Sequence, residues 1–97
     1  MEDVVYFNEL YDLYGELLTE KQRTYFEDYY FNNLSFSEMA ENYDVSRNAI
    51  FKQIHIVTDK LKEYESILKL YEKRNTLLAI SSKISDEKVR ETLEDLL

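Results

Sequence analysis

Two serines fix the centre of this chain. Ser35 is followed three residues later by Glu38, the spacing of a capping box in which the hydroxyl and the carboxylate each take a free amide at a helix start. A short helix is therefore predicted from about Phe36 to Asn42, with Met39 and Ala40 facing inward. Ser46 caps the next helix. Between the two stands Asp44, a residue type that enters the left-handed region more readily than most other non-glycine residues. In the second helix Ile50, Ile54, Val57, Leu61 and Tyr64 recur at i, i+4, i+7, i+11 and i+14, a stripe of about 80° at 100° per residue. Opposite the stripe fall Asn48, Phe51, Lys52, His55, Asp59 and Lys62, with Arg47 at the margin. One face is set to be buried and the other to meet a partner.

The flanking sequence is helical too. From Asp3 to Glu16, the residues Tyr6, Leu10, Leu13, Tyr14 and Leu17 form one apolar stripe, and Gly15 fits a C-terminal stop. Thr19 and Gln22 repeat the capping-box spacing and open a helix bearing Tyr25, Phe26, Tyr29 and Tyr30, which Asn32-Asn33 ends. Beyond Tyr64 the phase runs on through Ile67, Leu70, Tyr71, Leu77 and Leu78, compatible with one long helix or with two that bend near residues 64–66. A loop at Ser81 to Ser85 leads to a last short helix, with Asp86 and Glu87 suited to its first turn and Val89, Leu93 and Leu96 at i, i+4 and i+7. The chain has no proline, one glycine and no cysteine. An all-α fold follows, with a three- to four-helix core and a C-terminal helical extension. Ninety-seven residues make one domain by size, divided here into a helix-turn-helix unit (1–64) and an extension (65–97) that packs on it or on a partner.

Most chemistry is excluded by what the chain lacks. Without cysteine there is no disulfide, thiolate metal site or thiol nucleophile, which suits a reducing compartment. The N-terminus lacks a signal-peptide pattern and no apolar run spans a bilayer, so a cytoplasmic protein is expected. His55 is the only histidine and has no metal-ligating set around it; one glycine cannot build a phosphate-cradling loop. Glu94 and Asp95 are adjacent and point to different sides of a helix, unlike paired catalytic carboxylates. No enzyme, cofactor or metal is expected. Of 14 aromatic residues, those from Tyr6 to Tyr43 have the helical spacing of core packing rather than of a base-stacking platform; exposed Phe51 is the exception.

Ala40 as the small crossing residue, Asp44 at the turn, then Val45 and the anchoring Ile50 match the requirements of a helix-turn-helix. The segments Leu18-Thr19-Glu20-Lys21-Gln22-Arg23, Leu34 to Glu41 and Val45 to Ile50 resemble region 4 of sigma factors. Together with Leu13 to Thr19 and Leu61 to Glu65, they are more closely similar to the YlxM family, small bacterial proteins whose genes accompany those of the signal recognition particle. The resemblance covers about residues 6–71. It implies DNA-binding regulation or an accessory role in the signal recognition particle pathway. His55-Ile56 stands where such proteins usually carry a basic pair.

Charge sets the terms of binding. Residues 1–45 hold 11 acidic and 2 basic side chains, whereas residues 46–97 hold 9 and 10, within a total of -8. Phosphate contacts supply most non-specific affinity, so DNA is expected to be bound weakly by a monomer, or by a homodimer paired through residues 65–97. Arg47, Asn48, Phe51, Lys52 and His55 are the expected nucleic-acid contacts. The rival expectation is a protein or ribonucleoprotein partner, including signal recognition particle components, met by the acidic N-terminal half and the C-terminal helices.

Overall fold

The structure, a computed structural model, describes residues 3–96. Met1, Glu2 and Leu97, at the outer ends of the two expected units, lie outside the described residues. The order is α1 (Val4–Tyr14), a 3-10 turn (Gly15–Leu17), α2 (Glu20–Tyr30), α3 (Phe36–Tyr43), α4 (Arg47–Leu68), α5 (Leu70–Ser81) and α6 (Glu87–Glu94). No strand occurs among the described residues. Both capping boxes form: Thr19 with Gln22 opens α2, and Ser35 with Glu38 opens α3. Asn33, at φ 55°, turns the chain after α2. The fold is all-α, as the spacing predicts.

Helices α1 to α4 enclose the core. Phe7, Leu10, Tyr14, Phe26, Met39, Ile50, Val57 and Leu61 are buried there, each large apolar side chain contributing about 1.5–3 kcal/mol relative to exposure. Aromatic residues fill it: the Phe26 ring stacks on Tyr11 at 4.3 Å and on Tyr30 at 4.4 Å. The α4 stripe is buried from Ile50 to Leu61, with Tyr64 partly covered. The stripe expected on α1 is corrected by the structure. Phe7, Leu10, Tyr11 and Tyr14 are buried, Tyr6 and Leu13 are peripheral, and Leu17 is exposed. The helix tightens to 3-10 at Gly15, which rotates Leu17 out of phase and lets Leu18 enter the core instead. Gly15 has an ordinary right-handed φ of -55°. What it supplies is room, since a Cβ there would lie 3.1 Å from the Tyr11 ring.

The path after Tyr64 is two helices, with the break at Lys69 rather than at residues 64–66. Lys69 takes φ 56°, which costs a side-chain-bearing residue about 1–2 kcal/mol. Glu65 offsets that cost from one turn earlier. Its carboxylate accepts the amides of Tyr71 at 2.9 Å and Glu72 at 3.2 Å, so it caps α5 from within α4. Tyr14 Oη–H donates to the same carboxylate at 2.6 Å, and Tyr14 Oη in turn accepts the Leu70 amide at 2.9 Å. Arg74 lies near Glu9 of α1 at 3.9 Å and Tyr6 meets Tyr71 edge-on at 5.2 Å. The base of α5 is thus tied to α1.

The apolar residues that continue the helical phase after Tyr64 are mostly uncovered: Ile67, Leu70, Leu78, Val89 and Leu96 are exposed and Leu77 is partly covered. Glu87 lies in the first turn of α6 as expected, while Asp86 precedes it as the N-cap, and α6 buries none of its residues. The molecule measures 55 × 25 × 24 Å with a radius of gyration of 16.8 Å, against roughly 12–13 Å for a compact domain of this length. Helices α5 and α6 form a projecting arm.

Candidate nucleic-acid interface

The turn between α3 and α4 is built by Asp44. It adopts φ 54° and ψ 49°, and the Val45 amide reaches back to the Ala40 carbonyl at 3.0 Å, the backbone closure of a Schellman-type stop. Val45 itself is exposed. Ser46 Oγ then accepts the Ala49 amide at 3.0 Å and starts α4. Ala40 is buried at the crossing and Ile50 anchors α4 beneath it with no exposed surface. The small residue permits a close crossing and the anchor fixes the rotation of α4. Rotation decides which side chains face out.

Arg47, Asn48, Phe51, Lys52 and His55 are all exposed, on one face of the first two turns of α4. The structure brings together all five residues that the sequence singles out. Lys62 belongs elsewhere: its ammonium sits over the Phe7 ring at 5.4 Å. Of the four basic residues of α4, Arg47, Lys52, Lys60 and Lys62, Arg47 and Lys52 are the two in its first turns.

The face is more aromatic than the sequence suggests. Phe51 packs against His55 at 4.4 Å and meets Phe36 edge-on at 5.9 Å, while Phe36 stacks on Tyr29 at 4.8 Å. These rings line a shallow cavity of about 190 Å³ that also touches Ile54 and Thr58. A second hollow, of about 260 Å³, lies between Phe36, Arg47, Asn48 and Phe51. Sequence reasoning missed Phe36 and Tyr29 as members of the surface. The available signal was the position of Phe36 in the first helical turn after the Ser35 cap, next to the turn that presents α4.

The electrostatics are mixed. Glu38, Glu41 and Asp44 are exposed on α3 and the turn that precedes α4, and Arg47 and Lys52 are exposed on α4. The Ser35 amide and hydroxyl hydrogen bonds hold the Glu38 carboxyl below the ordinary carboxylate range, so it stays charged. The surface can therefore offer a few cation–phosphate contacts, amide and imidazole hydrogen bonds to base edges, and an apolar ring. No group of three or more His, Cys, Asp or Glu side chains suited to a metal ion occurs among the described residues, and no described helix is long and apolar enough to cross a membrane.

Comparison with known proteins gives one consistent answer. The family described as helix-turn-helix protein, YlxM / p13 like (UPF0122) matches residues 1–97. A UPF0122 protein of Shouchella clausii is 45% identical over 82 residues, covering 81% of this chain and 75% of the relative. One from Staphylococcus haemolyticus is 50% identical over 66 residues, covering 68% of this chain and 60% of the relative. A third, from Ureaplasma urealyticum, is 42% identical over 91 residues, covering 94% of this chain and 92% of the relative.

Proposed function

The chain belongs to the UPF0122 family of YlxM/p13-like helix-turn-helix proteins, and on that premise we propose that it is a non-catalytic regulator that reads DNA through α4, acting in or beside the signal recognition particle pathway. The observation that carries the reading is the common exposed face of Arg47, Asn48, Phe51, Lys52 and His55, set out by the left-handed turn at Asp44. The pathway assignment rests on the family resemblance. In a major groove, Arg47 and Asn48 at the helix start would approach base edges. Lys52 would meet a phosphate, and Phe51 would pack on a thymine methyl. The face carries two cations while the whole chain carries -8, so few phosphates are neutralised and a single copy binds weakly.

The test is fluorescence anisotropy with labelled duplex DNA across a salt titration. Arg47→Ala combined with Lys52→Ala is expected to weaken binding and to flatten the dependence of log affinity on log salt by a slope of about 1 to 2. Unchanged affinity and slope in the double variant would sink the DNA reading.

The acidity of residues 1–45 favours a second reading, in which the N-terminal half meets a basic protein or ribonucleoprotein. Capture of signal recognition particle components that survives nuclease treatment supports it; capture of nuclease-sensitive DNA supports the first.

A further inference from the structure

Within one chain α5 packs against α6, and each helix still leaves a surface open on its other side. Along α5 runs a groove of about 400 Å³ lined by Lys69, Glu72, Lys73, Thr76, Leu77 and Ile80. On α6 and the turn that follows it, Val89, Leu93 and Leu96 are largely uncovered, Leu96 at 72% exposure. Charge separates the two helices. From Lys69 to Lys83 the chain carries Lys69, Lys73, Arg74 and Lys83 against Glu72 alone, a net +3. From Asp86 to Asp95, five carboxylates face only Lys88 and Arg90, a net -3. The arm is thus neutral as a whole and polarised within itself, while residues 1–68 hold the entire -8.

We propose that two copies of this chain pair through their arms, α5 of each lying against α6 of the other. A foreign partner of one net sign would be attracted by one helix and repelled by its neighbour. A second copy satisfies both helices at once, because a two-fold interface makes every contact twice. Residues 69–96 also match in number what a standard interface takes from each side, about 20–30 residues. This pairing stands apart from DNA reading and is tested without nucleic acid.

Sedimentation equilibrium on the full chain carries the test, with circular dichroism confirming that each variant is folded. Wild type is expected to be dimeric at micromolar concentration. Lys69→Glu with Lys73→Glu makes α5 acidic, and Glu87→Lys with Glu91→Lys makes α6 basic. Each double variant alone is expected to dissociate at least tenfold more readily. Mixed in equal amounts they are expected to form a heterodimer, since both α5–α6 contacts then regain opposite signs. A wild type that stays monomeric up to roughly 100 µM overturns the proposal, and so do charge variants that keep wild-type affinity or fail to associate when mixed. Ile80→Asp, which leaves every other charge in place, gives an independent readout. Weakening of at least tenfold supports the groove as the contact, and unchanged association overturns it.

Discussion

The body of α1 to α4 and the arm of α5 and α6 are made from similar helices but held by different means. In the body, rings fill the interior and their hydroxyls reach carboxylates at its edge: Tyr11 donates to Glu27 and Tyr43 to Asp28. In the arm, aliphatic side chains remain in water, and order comes from polar ties such as Ser81 Oγ–H to Glu94 at 3.1 Å. The contrast teaches that helical periodicity predicts which residues share a face without predicting that the face is covered. Covering needs enough neighbouring elements: α1, α2 and α3 all pack on α4, whereas α6 rests chiefly on α5 and buries none of its residues.

The widest separation is expected from truncating one apolar side chain in each region. Phe26→Ala, in the body, should cost about 3–5 kcal/mol and bring urea-induced unfolding to a much lower midpoint. Ile80→Ala, in the arm, should stay within about 0.5 kcal/mol in dilute monomer. Equal losses would abolish the distinction.

Tyr14→Phe probes the joint between the regions. It removes a donor to Glu65 and strips the Leu70 amide of its acceptor, at a cost of about 1–3 kcal/mol. Hydrogen exchange at Leu70 to Glu72 should accelerate, while the Ile50 amide changes in step with global stability alone. Protection that is unchanged at Leu70 to Glu72 would show that the joint does not depend on this bond.

Acid and base should attack the two regions separately. Burial alone would raise the Glu65 carboxyl, but hydrogen bonds from Tyr14 and the Tyr71 and Glu72 amides, with Arg74 nearby, outweigh it and hold it below the usual range. The stability it contributes is therefore complete above its unfolded value of about 4.3 and is lost as pH falls through the lower folded value. Below about pH 4 the tie of arm to body should loosen, and Glu65→Gln should remove that pH dependence from Leu70–Glu72 exchange. Tyr43 shifts the other way. Burial, then the hydrogen bond and charge of Asp28, push it up to about 12. Its contribution is whole below about pH 10 and disappears as pH rises toward the folded value, so ultraviolet titration should show a late-ionising tyrosine that Asp28→Asn brings earlier.

The smallest effect compares two of the three left-handed positions. Lys69→Gly should stabilise dilute monomer by about 1 kcal/mol, and Asp44→Gly by less, because Asp tolerates that conformation better than Lys. Thermal melting resolves the order, and a larger gain at Asp44 would reverse it.

The same pair shows how much was legible in the sequence. The Asp44 turn, the capping boxes and the five residues of the α4 face were readable because each depends on neighbours within a turn or on a fixed 100° phase. Lys69 was not. Its conformation depends on Glu65 and on Tyr14, 51 residues from Glu65 in the chain, and nothing local marks it as a break. Phe36 was read as part of a helix but not as part of the surface, because its place beside Phe51 depends on how α3 crosses α4. On α1 the stripe read through Tyr6, Leu13 and Leu17 missed the buried Phe7, Tyr11 and Leu18, because helical spacing does not reveal the 3-10 turn at Gly15 or which side of α1 meets α4.

Helix α4 has 22 residues without interruption, a rod of about 33 Å. Its first turns carry Arg47 and Lys52, and near its end Glu65 holds the arm. A rod transmits angle as well as distance. If the arm tilts at Lys69, the exposed face at the far end of α4 keeps its own rotation but changes its heading relative to the arm, so the length of α4 makes a small angular change at the joint into a displacement of several ångströms at the other end.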